Sequence, residues 1–542
     1  MKKIYLTLFS AALLAFSSCS DFLEQDVRGE QNLDTYFTNE KEAESFINGC
    51  YYQITFNDYW MTERFYLLSD MCTDDYWMGN TSQSQSEYIS VAHYQGQGQS
   101  NETLECFWQY RYKGILSCNI AIEKIAEAPI LDEKKKQRLI GEAKFLRGFF
   151  YSELVKNFGG VPIMDKFVMP NQVEGITRNT QDEVYQFIEK NLLDAAEVLP
   201  QKSEYAAADM GRVTRGAALG LLGKCYMYNG QIDKAKDVLK QVIDEGEYAL
   251  MDDFGKVWNV NYENNAESLF EIQNLSGTLY WLGGCLTIVS GNRTGGDQDG
   301  WAWGLPTANL ENAFVEAGDT ERLRWTIIKN GCTEIAGEDN FDKLVELQGD
   351  VNGDGTYCVI PSKHKSARIN RKVFMPLADR PEKFDYCAIP LNHIILRYAD
   401  ILLLYAEACN EKGDDATALE YLNMVHERAL LAPLTGLTGT ELRDAIRAER
   451  RLELACEAHR LYDIRRWNDD NGKKAICNIL GPDGSFVKWN TNEATADSYE
   501  WTNQYEPSNK GYLFDETRDL LFPIPLYEIN MSNGSITQNP GW

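Results

Sequence analysis

Aromatic residues beside polar ones are the first feature of this sequence that could do chemistry. A Tyr–Trp pair follows two aspartates at Asp74–Trp77, and two tryptophans alternate in the glycine-rich stretch Gly295–Gly304. Flat rings can stack on the C–H faces of sugars, while amide, carboxylate and guanidinium groups bind hydroxyls. The pattern therefore predicts a ligand-facing arc for a saccharide, formed by Asp75, Tyr76, Trp77, Tyr280, Trp281, Asn292, Arg293, Trp301 and Trp303.

These rings are expected to be exposed, because core aromatics are usually flanked by aliphatic residues. The segment around Trp301 is too rich in glycine for a core strand, and an extended chain would point Trp301 and Trp303 the same way. Packing, or contact with a partner protein, is the alternative for each ring. A saccharide site would lose binding on Trp77→Ala or Trp303→Ala, whereas a peptide site would be deeper and would use backbone hydrogen bonds.

A second pattern resembles the first half of a calcium-binding loop. Asp350, Asn352 and Asp354 offer oxygen ligands at alternate positions, and glycine occupies the sixth position. Pro361 stands at the twelfth position, where a bidentate glutamate belongs. The same residues favour an Asx turn without metal. Calcium and a plain turn are therefore two interpretations of this loop, and no other cofactor is predicted.

Charged residues at helical spacing dominate residues 449–466. Glu449, Glu453 and Glu457 recur every fourth residue, so they share a helix face on which arginines can pair with them. Bidentate pairs of this kind fix the positions of helices, so a structural network is predicted. The five histidines lie in no metalloprotease motif and beside no serine-hydrolase motif. No catalytic residue is predicted, and the protein is not expected to be an enzyme.

Composition and charge exclude several classes of protein. The chain has 542 residues, with 81 acidic and 53 basic side chains, and a formal net charge of −28. Nucleic-acid binding is not expected, because it normally requires a basic face. Hydrophobic residues make up 44 % of the chain, as in globular proteins. The cysteines form no CxxC pair, so no zinc or iron–sulfur site is predicted.

The N-terminus has the parts of an export signal. Met1–Lys3 is cationic, and Ile4–Phe16 is apolar but too short to cross a bilayer as a helix. Ala15–Cys19 resembles the lipobox of bacterial lipoproteins, which implies cleavage before Cys19 and acylation of its thiol. An ordinary secretory signal is the alternative. Residues 1–18 are thus interpreted as a signal peptide and residues 19–30 as a lipidated tether.

Hydrophobic periodicity predicts several α-helices. Single helices are expected over residues 34–55, 104–126, 133–158, 181–199 and 440–467. Two helix pairs, over residues 212–246 and 398–429, have the small residues and turns typical of tetratricopeptide repeats. Residues 70–101 are interpreted as a surface excursion. Residues 250–395 look irregular and are expected to carry the binding surface, as long irregular segments often do.

Several motifs resemble, in order along the chain, those of SusD/RagB-family outer-membrane lipoproteins. They are Cys19–Glu24, Gly141–Tyr151, Phe158–Pro162, Leu396–Ala408, Glu449–Leu454, His459–Trp467, Phe522–Pro525 and Gln538–Trp542. The resemblance implies a mainly α-helical fold, with one SusD-like body over residues 31–542. Helical, tetratricopeptide-like parts would cover about 31–250 and 396–470, a variable ligand-facing part about 250–395, and a C-terminal segment 471–542.

The resemblance also implies a function and a partner. Members of that family capture glycans, less often peptides, at the cell surface and deliver them to a SusC-type TonB-dependent transporter. It therefore implies a lipid-anchored protein of the outer membrane that faces the exterior and binds an oligosaccharide. Peptide capture, a surface glycoside hydrolase and a structural protein without ligand are the alternatives. Ligand contacts vary most between family members, so no site residue is transferred from them.

Overall fold

The described part of the protein is mainly α-helical. The computed structural model describes residues 33, 36–55, 61–78, 86–95, 98–128, 132–169, 175–276, 282–292, 300–348, 353–357, 366–385, 388–492 and 510–542. About 54 % of the structure is helical and its strands are few and short, which confirms the predicted fold class. The predictions for Cys19, Tyr280, Trp281, Arg293, Asp350 and Asn352 lie outside the described residues.

Long helices form most of the first half of the chain. They are α1 (Glu40–Thr55), α2 (Met61–Met71), α3 (Ser86–Ala92), α4 (Glu102–Glu127), α5 (Glu133–Phe158), α6 (Gln181–Val198), α7 (Arg215–Tyr228) and α8 (Ile232–Asp244). Local sequence explains their ends. The Asp132 side chain caps α5, Gly159 with φ 72° ends it, and Thr180 with Glu183 forms a capping box on α6.

The C-terminal part adds a second group of helices. After the short helices α9 (Leu286–Val289), α10 (Ala308–Glu316), α11 (Thr320–Thr326) and α12 (Phe341–Gln348), the chain forms α13 (Tyr398–Glu411), α14 (Asp415–Arg428), α15 (Gly439–Glu453), α16 (Arg460–Arg466), α17 (Ile476–Ile479), α18 (Ser485–Asn492) and α19 (Leu526–Met531). The single helix predicted over residues 440–467 is wrong. It is broken between α15 and α16, where Cys456 and Ala458 have φ angles of 65° and 60°.

Both predicted helix pairs are present, as α7 with α8 and α13 with α14. Glycine allows the first pair to approach closely. A Cβ atom added at Gly223 would lie 2.5 Å from Leu239 Cδ2, and one at Gly220 would lie 2.8 Å from Leu269 Cδ2. Small residues at these positions therefore let α7 pack against α8 and against the strand that follows.

Three two-stranded antiparallel sheets connect distant parts of the chain. They pair β1 (Tyr76–Met78) with β3 (Gly304–Pro306), β2 (Ser268–Ile272) with β6 (His393–Arg397), and β4 (Ile327–Lys329) with β5 (Arg368–Asn370). The β2–β6 pair joins the beginning and the end of the irregular middle part. That part thus leaves the helical body and returns to it at one sheet.

A buried network of ion pairs joins the helical groups. Arg397, 1 % exposed, contacts Glu267 at 2.7 Å, Glu457 at 2.7 Å and Glu453 at 2.5 Å. Glu453 also binds Arg322 and Arg428. Burial alone would raise the pKa of Glu453, but the three guanidinium groups outweigh it and hold that pKa well below its ordinary value. The structural interpretation of the Glu449–Glu457 face is confirmed by these contacts.

Replacing Arg397 by alanine should strongly destabilise the protein. Glu267, Glu453 and Glu457 would each lose one of their buried cationic partners, and breaking a buried pair costs about 3–5 kcal/mol. The matched variant Arg324→Ala should cost at most about 1 kcal/mol, because Arg324 is 60 % exposed. Urea unfolding at neutral pH measures both. Equal losses in the two variants would contradict the importance of the network.

The pH dependence of stability should also reflect this network. Since the folded-state pKa of Glu453 lies below its reference value of 4.5, the stabilisation that its carboxylate contributes should be lost as the pH falls below that value.

Substitution by alanine should change the stability of the protein in opposite directions at two helical glycines. Gly49 of α1 has no atom within 4 Å of an added Cβ, so Gly49→Ala should stabilise the protein by up to about 1 kcal/mol. Gly223→Ala gains the same helix propensity but forces Leu239 to shift, and overpacking costs about 1–3 kcal/mol. Thermal unfolding distinguishes them. A stabilised Gly223→Ala variant would show that the α7–α8 contact is not tight.

Candidate ligand-binding site

The two aromatic regions singled out in the sequence are neighbours in the fold. Strand β1 runs antiparallel to β3, with Trp77 opposite Leu305 and Met78 opposite Gly304. Trp303 immediately precedes β3, so its backbone lies beside the end of β1. Two segments more than 200 residues apart in the sequence are thus brought together by three pairs of strand residues.

The expectation that these rings are exposed is wrong for three of them. Tyr76 and Trp77 are each 1 % exposed and Trp303 is 5 % exposed. The Trp77 ring lies 6.2 Å from the Phe486 ring, and the Trp303 ring lies 5.4 Å from that of Tyr88. Residues 70–78 therefore belong to the core rather than to a surface excursion.

Ion pairing explains how an acidic segment can be buried here. Arg460 donates two hydrogen bonds of 3.0 Å to Asp74, and Arg451 donates from Nε to Asp75 at 3.0 Å. Burial would raise the pKa of Asp74, but Arg460 and Arg451 outweigh it and lower that pKa. For Asp75, burial is the larger effect and its pKa is raised despite Arg451. Asp75 is thus 3 % exposed and positions β1 instead of facing solvent.

Local sequence could not reveal this pairing. The partners Arg451 and Arg460 lie almost 400 residues from Asp74 and Asp75. The only sequence signal for these two partners was the excess of arginine in the motif that follows Glu449. A polar flank therefore indicates exposure only where no distant residue of opposite charge can neutralise it.

Trp301 is held by a tight crossing of two backbone segments. Its amide donates to Ile288 O at 2.8 Å, and the amide of Trp303 donates to Val289 O at 2.9 Å. A Cβ atom on Gly300 would lie 2.4 Å from the backbone of Gly291, so both crossing positions require glycine. The glycines predicted to exclude a core strand thus serve a close approach within a packed turn.

Trp301 is partly exposed, unlike Trp303. The alternation argument for the two rings fails, because Ala302 between them has a φ of 53° and is not extended. Their ring centres are nevertheless 5.2 Å apart. Trp301 also packs beside a small apolar cluster of Ile288, Met375 and Ile389. Trp301 is thus packed against this cluster while the residue as a whole is partly exposed.

Asn292 lies at the end of the same turn and is 5 % exposed. Its carbonyl accepts a hydrogen bond from the amide of Gly300. Residues 293–299 connect the two and lie outside the described part, as do Tyr280 and Trp281. Among the predicted site residues that are described, Trp301 is therefore the one that offers a ring surface. A flat, partly exposed indole on an apolar base can stack on an apolar ligand face.

The described part of the calcium-like loop forms an Asx turn. Asp354 Oδ1 accepts hydrogen bonds from the Thr356 amide at 3.0 Å and the Thr356 hydroxyl at 2.6 Å. These hydrogen bonds lower the pKa of Asp354. No metal-binding group of His, Cys, Asp and Glu side chains is found among the residues that the structure describes. Because Asp350 and Asn352 lie outside them, calcium binding stays a prediction.

Among the described helices, none combines the length and apolar character that a bilayer-spanning helix needs.

The chain was compared with known families and structures. Residues 266–542 match the sequence profile of the SusD family. The chain belongs to the SusD family. Residues 21–227 match a second profile, described as starch-binding and associating with the outer membrane. The resemblance inferred from the motifs is thereby confirmed for both halves of this SusD family member.

Several relatives share this architecture. SusD-like protein P2 of Formosa agariphila is 27 % identical over 100 % of both chains. A laminarin-binding SusD-like protein superimposes with a TM-score of 0.72 and 24 % identity, over 93 % of this chain and 100 % of that one. Surface glycan-binding protein A from Bacteroides thetaiotaomicron, in complex with laminarihexaose, gives a TM-score of 0.71 and 21 % identity, over 93 % and 100 %. These structural similarities establish a SusD-like fold.

Burial predicts that Trp77 and Trp303 support the structure of this SusD family member. Trp77→Ala and Trp303→Ala should each lower the free energy of unfolding by about 3–5 kcal/mol, since a cavity replaces each ring. Trp301→Ala, at a partly exposed position, should cost clearly less. Urea unfolding of the three variants tests this order. If Trp303→Ala left stability unchanged, the core position of its ring would be refuted.

Proposed function

We propose that the protein is a cell-surface binding protein that captures oligosaccharides for a SusC-type TonB-dependent transporter of the outer membrane. Membership of the SusD family supports the class of function. Two of the similar structures are of a laminarin-binding protein and of a glycan-binding protein with bound laminarihexaose. The observation that carries the proposal is the partly exposed Trp301 ring on its apolar base.

Capture rests on stacking and hydrogen bonding rather than on charge. The indole of Trp301 would cover the C–H face of one sugar ring, and the polar residues of the adjoining sequence 293–299 would bind hydroxyls. Few contacts at each ring give weak binding, which suits a protein that must release its ligand to a partner. The net charge of −28 disfavours strongly anionic saccharides through repulsion.

We assign no catalytic residue to the protein. The conspicuous carboxylates Glu449, Glu453 and Glu457 are at most 7 % exposed and are bound to arginine, lysine or histidine. A general acid or base must reach the atom whose proton it transfers. These groups instead support binding of a ligand elsewhere by fixing the fold.

Attachment to the membrane is proposed to occur through Cys19. Acyl chains on one cysteine contribute about 0.8 kcal/mol per buried methylene, so several chains anchor a protein durably without a spanning helix. The tether of residues 19–30 would leave the body at the outer face of the outer membrane, where an extracellular polysaccharide is accessible.

Affinity electrophoresis of the purified protein tests the capture of saccharides. Gels containing laminarin, starch or other neutral polysaccharides should retard the protein with at least one of them. Trp301→Ala should weaken that binding roughly tenfold, equivalent to about 1.4 kcal/mol for a lost stacking contact. The matched control is Tyr527→Ala, which removes a ring that is 48 % exposed in α19 and should leave binding unchanged.

Each other outcome has a definite reading. Retardation that persists in Trp301→Ala would locate the saccharide elsewhere on the protein. Binding of a peptide mixture, measured by fluorescence, without retardation by any polysaccharide would favour peptide capture. Turnover of a polysaccharide by the purified protein would identify a hydrolase and refute the proposal.

A further inference from the structure

A second concave surface lies between the helix pairs, and none of the predicted ligand-site residues lines it. This groove has a volume of about 860 Å³. The ends of α5, α7 and α13, the beginning of α6, and helices α15 and α16 form its walls, together with the segment that follows Trp467. Its size falls within the usual range for ligand pockets.

Cations cluster in this groove around one tryptophan. The guanidinium groups of Arg447 and Arg466 lie 5.1 Å and 5.2 Å from the centre of the Trp467 ring. Lys474 donates to the backbone carbonyl of Arg466, and Arg447 donates to that of Asn468. In a chain with a net charge of −28, such a concentration of positive charge needs an explanation.

The cations are not equally neutralised. Arg466 is bound by Glu407 at 2.6 Å and by Asp463 at 2.8 Å. Arg447 and Lys474, in contrast, have backbone carbonyls as their hydrogen-bond acceptors among the described residues, and no carboxylate lies within 4.0 Å there. Burial lowers the pKa of both groups; Glu407 opposes this shift at Arg447 without cancelling it, and Arg466 adds to the lowering at both. A ligand carboxylate would relieve this unfavourable charge.

A buried arginine adds unused donors to the same wall. Arg465 lines the groove, is 8 % exposed and donates from Nη2 to Asp519 O at 3.1 Å. Its Nε and Nη1 atoms, and the Tyr228 hydroxyl nearby, have no hydrogen-bond partner among the described residues. Buried donors are normally satisfied, so these atoms point to an acceptor that the described residues do not supply.

The aromatic rings of the groove are already covered. Lys156 lies 4.3 Å from the centre of the Tyr462 ring, and Arg466 lies 5.5 Å from that of Tyr228. The guanidinium groups of Arg447 and Arg466 lie against the Trp467 ring. Neutral sugars need open ring faces for stacking, so this groove differs in chemistry from the Trp301 surface. It offers charged donors above aromatic rings.

We propose that this groove binds an acidic peptide segment of a partner protein through its carboxylates. Arg447 and Lys474 are the primary contacts, because neither forms an ion pair with a described carboxylate. The cations of the groove attract the acidic segment, while the net negative charge of the rest of the protein repels it. Charge complementarity therefore favours binding in this groove.

Fluorescence anisotropy with a fluorescein-labelled oligoglutamate peptide tests the proposal on the purified protein. Saturable binding is expected at low ionic strength and should weaken at about 0.15 M salt, where the Debye length is roughly 8 Å. The double variant Arg447→Glu/Lys474→Glu should bind the peptide at least about tenfold more weakly. The neutral variant Arg447→Gln/Lys474→Gln should show a smaller loss and a flatter dependence on salt.

The control variant changes the net charge by the same amount, but at positions outside the groove. Lys190→Glu/Lys488→Glu reverses two cations that are 71 % and 59 % exposed, and it should bind the peptide almost as the parent does. Equal losses in both charge-reversed variants would overturn the assignment to the groove. Absence of saturable binding would overturn the proposal, and so would binding of an oligogalacturonate without binding of the peptide. Unchanged thermal unfolding of the glutamine variant separates a lost contact from a lost fold.

Discussion

The pairing of buried arginines with buried carboxylates is the interaction on which the rest of this structure depends. Glu453, the last residue of α15, contacts arginines from α11, β6 and α14. One helical turn before Glu453, Arg450 binds Asp400 at 2.9 Å and Asp463 at 3.0 Å, and Lys224 binds Asp400 at 2.7 Å. Since a buried charge is tolerated only with its partner in place, helices from both ends of the chain must assemble together.

The same principle positions the predicted ligand region. Arg451 and Arg460, which flank the break between α15 and α16, bind Asp75 and Asp74 ahead of β1. Strand β1 in turn pairs with β3, next to Trp301 and Trp303. The partly exposed ring is thus connected to the ionic network by one short strand pair. Saccharide capture, as proposed, would occur at the edge of a rigid frame rather than on an isolated loop.

The sequence could predict those features of the structure that depend on neighbouring residues, but not those that depend on contacts between residues far apart in the chain. Helices such as α5 and α6 follow from periodicity and local caps, and they were predicted within one residue of their ends. Gly49 and Gly223 are alike in sequence context, yet only the second faces another helix. The burial of Trp77 depends on arginines hundreds of residues away, so composition around it suggested exposure. The sequence identified Trp301 as a candidate ligand-site residue, but the crossing of its segment with Gly291 could be seen only in the folded structure.

The closing of the middle part by β2 and β6 has an evolutionary consequence. Everything between Ile272 and His393 begins and ends at neighbouring positions of one sheet. A different insert could therefore be grafted between these strands without displacing the long helices, provided that it retained a strand that pairs with β1, as β3 does, and cations at the places of Arg322 and Lys372, which bind Glu453 and Glu457. Ligand specificity and architecture can thus diverge at different rates within one chain, because selection on the insert leaves the frame almost unchanged.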